Sequence, residues 1–535
     1  MADPLYLPYA SHRVPVYARR GMVATSQPLA AEAGLSVLRA GGNAVDAAVA
    51  TAAALTVLEP TSNGIGGDGF ALVWTNGRLY GLNASGPAPA LLTREAVAAR
   101  GERTMPQRGL LPITVPGAPA AWAELVGRFG RLSLGAVLNP AIEYAAQGFP
   151  VSPHVGRAWQ GAYALYRRLL SGPEYQAWFD TFAPGGRPPG PGDVWRSPDH
   201  AETLTGIAET GARSFYEGAI AERMDRFFRE VGGFLRADDL ARFVPEWVEP
   251  ITVSYRGYEV AELPPNGQGL VALEALRIAE GFNFEGRDSV LTYHRQIEAL
   301  KLAFQDGLRY IADPRREPVP VAELLSDAYI AERRAAIGPE AGDPGPGRPP
   351  GGGTVYLCAA DAEGNMVSYI QSNYAGFGSG VVVPGTGIAL QNRGALFRLD
   401  PEHPNRLEPG KRPYHTIIPG FLLKGGQPVG PFGIMGGFMQ PQAHLQVLSN
   451  LLDFDLNPQA ALDAPRWQWI EGRRVELEYG TGEHLAEALR TMGHDVRWAL
   501  GSGSFGRGQL IFQHGAEGVL VGASEPRADG QVAAF

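Results

Sequence analysis

A threonine stands at an abrupt boundary in this sequence. The run DPGPGRPPGGG (343–353) is rich in proline and glycine, and Thr354 then begins the apolar stretch TVYLCAAD. Threonine alone is a poor nucleophile, but a free α-amine on the same residue can act as its general base. Because the unperturbed pKa of an α-amine is about 7.7–8.0, such an amine works near neutral pH. This chemistry requires a cut in the chain directly before Thr354.

The residues around the boundary suit such a cut. Gly353 leaves its carbonyl sterically open to the threonine hydroxyl, and the glycines before it tolerate strained backbone angles. If 354–359 is a strand, Thr354, Tyr356 and Cys358 share one face. The alternative is an interdomain linker that ends in a strand-forming residue. On these residues alone, the linker interpretation is favoured.

The surrounding sequence predicts blocks of helices and strands that alternate along the chain. Apolar spacing indicates helices over 27–40 and 44–57, followed by a hairpin whose turn is Asn76-Gly77. The stretch from about 115 to 310 has mostly helical spacing, and the Pro/Gly-rich segment 335–353 is predicted to be mobile.

Strands dominate from Thr354 onward. Glu363-Gly364-Asn365 forms the predicted turn between TVYLCAAD and NMVSYIQS. Helices return at PQAHLQVLSNLLDF and GEHLAEALRTMG, and a final hairpin follows Ser502. Two sheets sandwiched between helical layers are the natural assembly of such segments.

The bulk composition is that of an ordinary globular chain. Its 535 residues are 45% hydrophobic and 19% charged, which suffices for a large core in one large α/β unit or in about two to four domains. The net charge is −9 and the sequence has no block of lysine and arginine. A surface for nucleic acid or for an anionic membrane is therefore not expected.

Three features lead us to expect a cytoplasmic protein. Cys358 is the single cysteine, so the chain forms no internal disulfide, which fits a reducing compartment. The N-terminus lacks the apolar core of a signal peptide. The apolar run 44–60 is too short and too rich in alanine to span a membrane.

Three long blocks resemble the γ-glutamyltransferase family of N-terminal-nucleophile (Ntn) hydrolases. They are residues 19–70, 354–392 and 452–467, in the family's order along the chain. The resemblance extends over essentially the whole sequence and implies an α+β fold, a four-layer αββα sandwich. It also implies autocatalytic cleavage between Gly353 and Thr354, which leaves a large piece, 1–353, and a small piece, 354–535, joined as a heterodimer.

The same resemblance implies catalytic roles at four positions. Thr354 is the nucleophile and, through its amine, the general base. Ser372 stands where the family has a second threonine, whose hydroxyl assists the nucleophile. Gly436 and Gly437 match the glycine pair whose backbone N–H groups stabilise the tetrahedral oxyanion, although the pair by itself would be interpreted as a turn. Neither a metal nor a cofactor is implied.

The substrate pocket departs from the family. Ser85 replaces the arginine that holds the glutamyl α-carboxylate, and Leu396 replaces the aspartate that holds the α-amine. Neither residue can pair with a substrate charge, and burying an unpaired charge is costly. Arg393 stands where the family often has a neutral amide, and Arg412 is a second cation near it in sequence. A solvated surface position is the alternative for each arginine.

We therefore expect the substrate to be a small-molecule amide that carries a carboxylate but no recognised α-amine, with water or an amine as the acceptor. The residues expected to bind it are Ser85, Tyr374, Asn392, Arg393, Arg412, His415 and Thr416. The pattern resembles the branch that includes oxamate amidohydrolase and the glutaryl or cephalosporin acylases. Two alternatives stay open: a true γ-glutamyltransferase acting on glutathione, and a non-catalytic scaffold or ligand-binding relative. Association of the heterodimer into a homo-oligomer is also left open.

Three other patterns carry less weight. GIGGDG (64–69) matches a dinucleotide fingerprint but follows a helix and opens a strand, the reverse of the required order. His294 and Glu298 have metal-ligand spacing, but no further histidine is in register, so we expect a polar surface pair. Cys358 has no activating His or Lys beside it in an apolar strand, so a buried core thiol is expected rather than a nucleophile.

Overall fold

The computed structural model describes residues 13–344 and 353–535. The strands are β1 (Val16–Ala18), β2 (Gly21–Thr25), β3 (Asp68–Thr75), β4 (Arg78–Ala84), β5 (Phe149–Pro150), β6 (Val194–Trp195), β7 (Glu246–Val248), β8 (Ile251–Tyr255), β9 (Tyr258–Glu262), β10 (Gly353–Asp361), β11 (Met366–Tyr374), β12 (Gly420–Lys424), β13 (Gln427–Met435), β14 (Trp467–Glu471), β15 (Arg474–Leu477), β16 (Asp495–Trp498), β17 (Arg507–His514), β18 (Val519–Ser524) and β19 (Gln531–Ala534).

The helices cover the two sheets. They are α1 (Pro28–Arg39), α2 (Ala44–Leu58), α3 (Arg94–Ala99), α4 (Ala118–Phe129), α5 (Leu134–Gln147), α6 (Pro153–Leu169), α7 (Gln176–Phe182), α8 (Pro198–Thr210), α9 (Arg213–Tyr216), α10 (Ala219–Glu230), α11 (Ala237–Ala241), α12 (Gly269–Glu280), α13 (Val290–Tyr310), α14 (Val321–Leu324), α15 (Asp327–Ala335), α16 (Met439–Leu452), α17 (Pro458–Asp463) and α18 (Glu483–Thr491). None of the helices in the described ranges has the length and apolarity needed to cross a membrane.

Two large sheets lie face to face. In the described residues, one sheet has the order β19-β2-β10-β11-β3-β4-β7 and the other has the order β1-β18-β17-β13-β12-β9-β8. Side chains from both inner faces form one apolar cluster, to which Phe70 and Tyr356 come from the first sheet and Phe421 and Ile511 from the second. Helices α1, α2 and α4 pack on the outer face of the first sheet, with α5 packed against α2. Helices α12 and α16 pack on the second sheet, with α13 packed against α12. The predicted αββα sandwich is confirmed.

The predicted helical block 115–310 also contains strands. β8 and β9 form a hairpin within it, closed by Arg256 and Gly257 in the left-handed region with φ of 51° and 77°. The alternation of ITVSYRGYEVAE explains the difference, because every second residue can face the core of the second sheet. The expectation of a mostly helical stretch is confirmed by helices α4 to α13, and the hairpin is a local exception to it.

The strand that begins at the proline-glycine boundary is central in its sheet. β10 pairs antiparallel with β2 on one side and with β11 on the other. Tyr356 and Cys358 face the inter-sheet core, whereas Val355 and Leu357 face the helices, so the predicted alternation is confirmed. The first sheet contains β2, β3, β4 and β7 from residues 1–353 and β10, β11 and β19 from later in the chain. A cut before Thr354 would therefore leave the two pieces sharing one sheet.

Part of the segment predicted to be mobile is packed against the protein. Helix α15 ends at Ala335, and beyond it the Ala341 N–H donates to the Met492 carbonyl at 2.7 Å. The Gly342 N–H donates to Glu298 Oε2 at 3.0 Å. The rest of the predicted mobile segment, 345–352, lies outside the described residues.

Candidate active site

The side chain of Thr354 is fully buried at the start of β10, next to a bulge in the pairing of β10 with β11. Its Oγ1 donates a hydrogen bond to Ser372 Oγ at 3.0 Å. Ser372 Oγ in turn donates to the Gly353 carbonyl oxygen at 2.8 Å. One hydroxyl thus contacts both the candidate nucleophile and the carbonyl of the bond that would be cut.

Positive charge lies directly against this hydroxyl. Arg393 Nη2 donates to Ser372 Oγ at 3.0 Å, and Arg393 Nη1 donates to Thr416 Oγ1 at 2.7 Å. The guanidinium also lies 4.8 Å from the ring centroid of Tyr374, whose N–H donates to Ser372 Oγ at 2.8 Å. Burial lowers the pKa of Arg393 to about 10, with Asp68 opposing the shift, so the group is charged at neutral pH. A surface position for Arg393 is excluded.

Asp68, which was not predicted as a site residue from the sequence, is a buried acid that acts electrostatically on this cation. It is the cross-strand partner of Ser372, and its Oδ1 accepts from the N–H groups of Gly86 and Gly117 at 3.1 Å. Burial raises the pKa of Asp68 to about 7, and the charge of Arg393 opposes that rise. The sequence feature that could have identified Asp68 is its position as the only acid of GIGGDG, at the first residue of β3.

His415 is the neighbour of Asp68. Its Nε2 lies 3.0 Å from Asp68 Oδ2, and burial, reinforced by the charges of Arg393 and Arg412, holds its pKa well below the usual range. The imidazole is therefore neutral, and its N–H donates to the carboxylate. Thr416 follows His415 in sequence, and its Oγ1 accepts the hydrogen bond from Arg393 Nη1. His415 and Thr416 were both predicted to bind substrate, and both belong to the buried polar network next to Thr354.

Two other predicted substrate residues are already used by the protein. Ser85 Oγ donates to Asn83 Oδ1 at 2.7 Å within a buried amide network that includes Asn266. Asn392 accepts from the Ala375 N–H at 3.1 Å and donates to the carbonyl of Gln107 at 2.8 Å, which holds the loop after β11.

Arg412 is directed away from this network. Its Nη1 donates to Glu246 Oε2 at 2.6 Å, and its backbone N–H donates to Asp313 Oδ2 at 2.9 Å. It lines a second cavity with Arg242 and Arg315. The expectation that Arg412 contacts substrate in the same site as Thr354 therefore lacks structural support, because an acid 166 residues away fixes its side chain.

A cavity of about 510 Å³ opens beside the Gly353–Thr354 bond. Gly353 and Gly436 both line it, and Gly436 and Gly437 follow β13 with φ of 145° and 60°, angles that glycine adopts at low cost. Its other lining residues include Arg108, Arg507, Phe304, Phe438, Gln468 and Trp469. None of these six residues was predicted from the sequence, since they come from separate loops and helices that only the fold brings together.

Gln268 links the two halves of the site, although no motif in the sequence pointed to it. Its Nε2 donates to the carbonyls of Thr416 and Gly437 at 2.7 and 2.8 Å, and its Oε1 accepts from Tyr414. This amide fixes the glycine pair relative to the network around Arg393. Leu396 packs in the apolar cluster that contains Tyr374 and Phe438, which leaves no charge at that position.

His294 and Glu298 are buried, so the expectation of a surface pair is wrong. His494, 200 residues from His294 in sequence, lies with its Nε2 2.9 Å from His294 Nδ1, and one ligand atom from each of the three residues falls within 4.8 Å of the others. His294 Nε2 also donates to the carbonyl of Gly338 at 2.9 Å. Lys301 Nζ donates to Glu298 Oε1 at 2.7 Å, so an ammonium already neutralises the only carboxylate of the trio.

Cys358 is a core thiol, as expected. Its side chain is fully buried between the two sheets, and burial raises the pKa of the thiol well above its ordinary value. A thiol that resists ionisation is a poor nucleophile.

Comparison with known proteins places this geometry in a family. A sequence model described as gamma-glutamyltranspeptidase matches residues 30–535. The glutathione hydrolase-like YwrD proenzyme of Bacillus subtilis is 38% identical over 96% of this chain and 98% of its own length. The oxamate amidohydrolase proenzyme of Klebsiella pneumoniae is 35% identical with the same coverage. The crystal structure of cephalosporin acylase from Bacillus halodurans is 60% identical, covers 100% of this chain and 99% of its own, and superposes with a TM-score of 0.97. The chain therefore belongs to the gamma-glutamyltranspeptidase family and is a hydrolase with the Ntn fold.

Proposed function

We propose that this protein cuts itself between Gly353 and Thr354 and then hydrolyses amides through an acyl-enzyme on Thr354. The observation that carries the proposal is the pair of hydrogen bonds that Ser372 makes, one with Thr354 Oγ1 and one with the Gly353 carbonyl. Relatives named as proenzymes support the processing step.

Processing begins when Thr354 Oγ1 attacks the Gly353 carbonyl carbon. Ser372 accepts the proton of the attacking hydroxyl and donates its own to the carbonyl oxygen, and Arg393 makes Ser372 a stronger donor. The C–N bond then breaks as the proton passes to the Thr354 nitrogen, which leaves Gly353 as an ester on Thr354 Oγ1. Water hydrolyses this ester to give a Gly353 carboxylate and a free Thr354 amine.

The mature enzyme repeats this chemistry on a substrate amide. The Thr354 α-amine takes the hydroxyl proton, Oγ1 forms an ester with the acyl group, and the proton goes to the leaving nitrogen. Gly436 borders the cavity beside Gly353 and Gly437 follows it in the chain, so we assign the oxyanion donors to their N–H groups. Water resolves the acyl-enzyme, with an amine as the less favoured acceptor. Pieces 1–353 and 354–535 remain a heterodimer because they share a sheet.

The substrate that we propose is an amide whose acyl group carries a carboxylate but no α-ammonium. Ser85 and Leu396 offer no charge, and Asp68, the acid beside Arg393, is occupied by backbone N–H groups and His415. Relatives named oxamate amidohydrolase and acylase fit such a substrate. The relative named glutathione hydrolase-like keeps a γ-glutamyl amide as the second candidate.

Intact-mass spectrometry tests the processing step. We expect wild type to give fragments of about two-thirds and one-third of the 57.1 kDa chain, with Thr354 at the new terminus. The Thr354→Ala variant should stay uncut, whereas Thr205→Ala, a threonine of helix α8, should be cut normally. An uncut wild type would refute the proposal and leave a non-catalytic relative.

Two anilides test the substrate class. Glutaryl-p-nitroanilide differs from γ-glutamyl-p-nitroanilide only by the α-ammonium. We expect a higher kcat/KM for the glutaryl compound, because the described site offers no free carboxylate for an ammonium. A preference for the γ-glutamyl compound would establish the second candidate instead.

A further inference from the structure

The cavity beside Gly353 contains a guanidinium with no carboxylate partner among the described residues. Arg108 Nη1 donates to the backbone carbonyls of Gly378 at 2.8 Å and Ala375 at 3.4 Å, and the guanidinium carbon lies 5.2 Å from the ring centroid of Tyr166. The other arginine of the cavity differs, because Arg507 Nη1 lies 3.4 Å from Glu59 Oε1. A half-buried cation held by carbonyls alone keeps donors available for an anion.

Arg108 is also close to the reaction centre. The carbonyls it binds flank Gly376, and Gly376 packs directly on Gly353: a Cβ placed on Gly353 would lie 2.7 Å from the Gly376 nitrogen. Since consecutive Cα atoms are about 3.8 Å apart, the guanidinium lies within roughly two or three residue lengths of the Gly353 carbonyl. A five-carbon acyl chain is about 5 Å long from its C–C bonds of about 1.5 Å, and a hydrogen bond from the guanidinium to its terminal carboxylate adds about 2.9 Å, so together they reach about two residue lengths.

Part of the cavity wall is aromatic. Phe304 lies 6.1 Å from Phe438 and 5.8 Å from Trp469 between ring centroids, and all three residues line the cavity. Gln468 adds a polar group to this wall, because its Oε1 is buried without a hydrogen-bond partner in the described structure. An N–H group of a bound molecule would satisfy that oxygen.

We propose that Arg108 binds the terminal carboxylate of the substrate's acyl group and that the aromatic wall binds an apolar or aryl amine portion. The substrate class is thus an ω-carboxyacyl amide of an aryl-like amine, which deepens the proposed function and rests on it. A cavity of about 510 Å³ is also of the size that small-molecule sites commonly have.

The binding test uses product acids, which require no turnover. Glutarate and pentanoate share a five-carbon chain and one carboxylate, and glutarate adds the second. We expect calorimetric titration of wild type to show tighter binding of glutarate, and Arg108→Met to lose that preference by at least about tenfold. Arg108→Lys should retain part of it. The matched control is Arg103→Met, an exposed arginine of the same loop, which should keep the wild-type preference.

The kinetic test uses the ratio of kcat/KM for glutaryl- over pentanoyl-p-nitroanilide, since a ratio cancels general damage to the loop. We expect the ratio to fall at least about tenfold in Arg108→Met and to stay unchanged in Arg103→Met. An unchanged ratio in Arg108→Met, or an equal loss in both variants, would overturn the proposal. If the enzyme is cut and active but its kcat/KM ratio does not depend on Arg108, this inference is refuted and the proposed function is not. An uncut chain with Arg108-dependent glutarate binding supports it while refuting the catalytic proposal.

Discussion

Replacing Ser372 with alanine should slow self-cleavage strongly. The substitution removes the donor to the Gly353 carbonyl and the acceptor for Thr354 Oγ1. Loss of one preorganised donor to a developing oxyanion typically lowers a rate about 10²–10³-fold. The change also leaves Arg393 Nη2 and the Tyr374 N–H without their Ser372 acceptor, at a cost of about 1–3 kcal/mol for an unpaired buried donor. We therefore expect a folded but less stable chain that is purified mostly uncut.

The assay follows the uncut fraction over days at constant temperature by intact mass. Ser368→Ala is the matched control, since it makes the same change on β11 but Ser368 Oγ contacts Tyr356 and Phe432 rather than Thr354. Ser372→Thr should restore cleavage, because it keeps the hydroxyl. Near-UV circular dichroism checks that each variant is folded. Cleavage of Ser372→Ala at the wild-type rate would refute the role given to this hydroxyl.

Other substitutions probe the rest of the site. Gly353→Ala should cut slowly by intact mass, because its Cβ would lie 2.7 Å from the Gly376 nitrogen. Gly436→Ala should lower kcat on an anilide by about 10²–10³-fold, since its φ of 145° strains an L-residue and shifts the oxyanion donors. Arg412→Met should lower the melting temperature but leave KM unchanged, because its partner is Glu246. Asp68→Asn should flatten the pH dependence of the melting temperature. The folded pKa of Asp68 is about 7 against an ordinary 3.8, so its contribution to stability is full below about pH 4 and lost as pH rises through 7.

Features encoded by neighbouring residues could be predicted from the sequence. Thr354 and Ser372 are 18 residues apart across one hairpin, and the turn at 363–365 sets the register that brings their hydroxyls together. The four-layer fold followed from the order of apolar blocks and from the family resemblance. The apolar strand around Cys358, with no activating His or Lys beside it, predicted a buried core thiol, and alternation predicted that Cys358 shares a face with Tyr356.

Features that depend on distant residues could not be predicted. Arg412 and Arg393 carry the same charge but have different partners. Arg412 donates to Glu246, whereas Arg393 donates to Ser372 and Thr416. These partners lie 166, 21 and 23 residues from their arginines in sequence, so no local sequence pattern reveals the pairing. Arg108 gave no signal, because its place in the cavity depends on the carbonyls of a loop about 270 residues later.

The buried charges support the proposal that the site excludes a substrate with an α-ammonium. Arg393 is fully buried, and one carboxylate among the described residues, Asp68, lies close enough to offset its charge electrostatically. That carboxylate already accepts from Gly86, Gly117, Gln391 and His415. An α-ammonium placed here would meet a guanidinium and no free acid among the described residues, and burying it unpaired would be costly. A substrate without the ammonium avoids that cost, whereas its carboxylate gains from each nearby cation. Arg393, which donates a hydrogen bond to Ser372, would therefore also influence which acyl group the enzyme accepts.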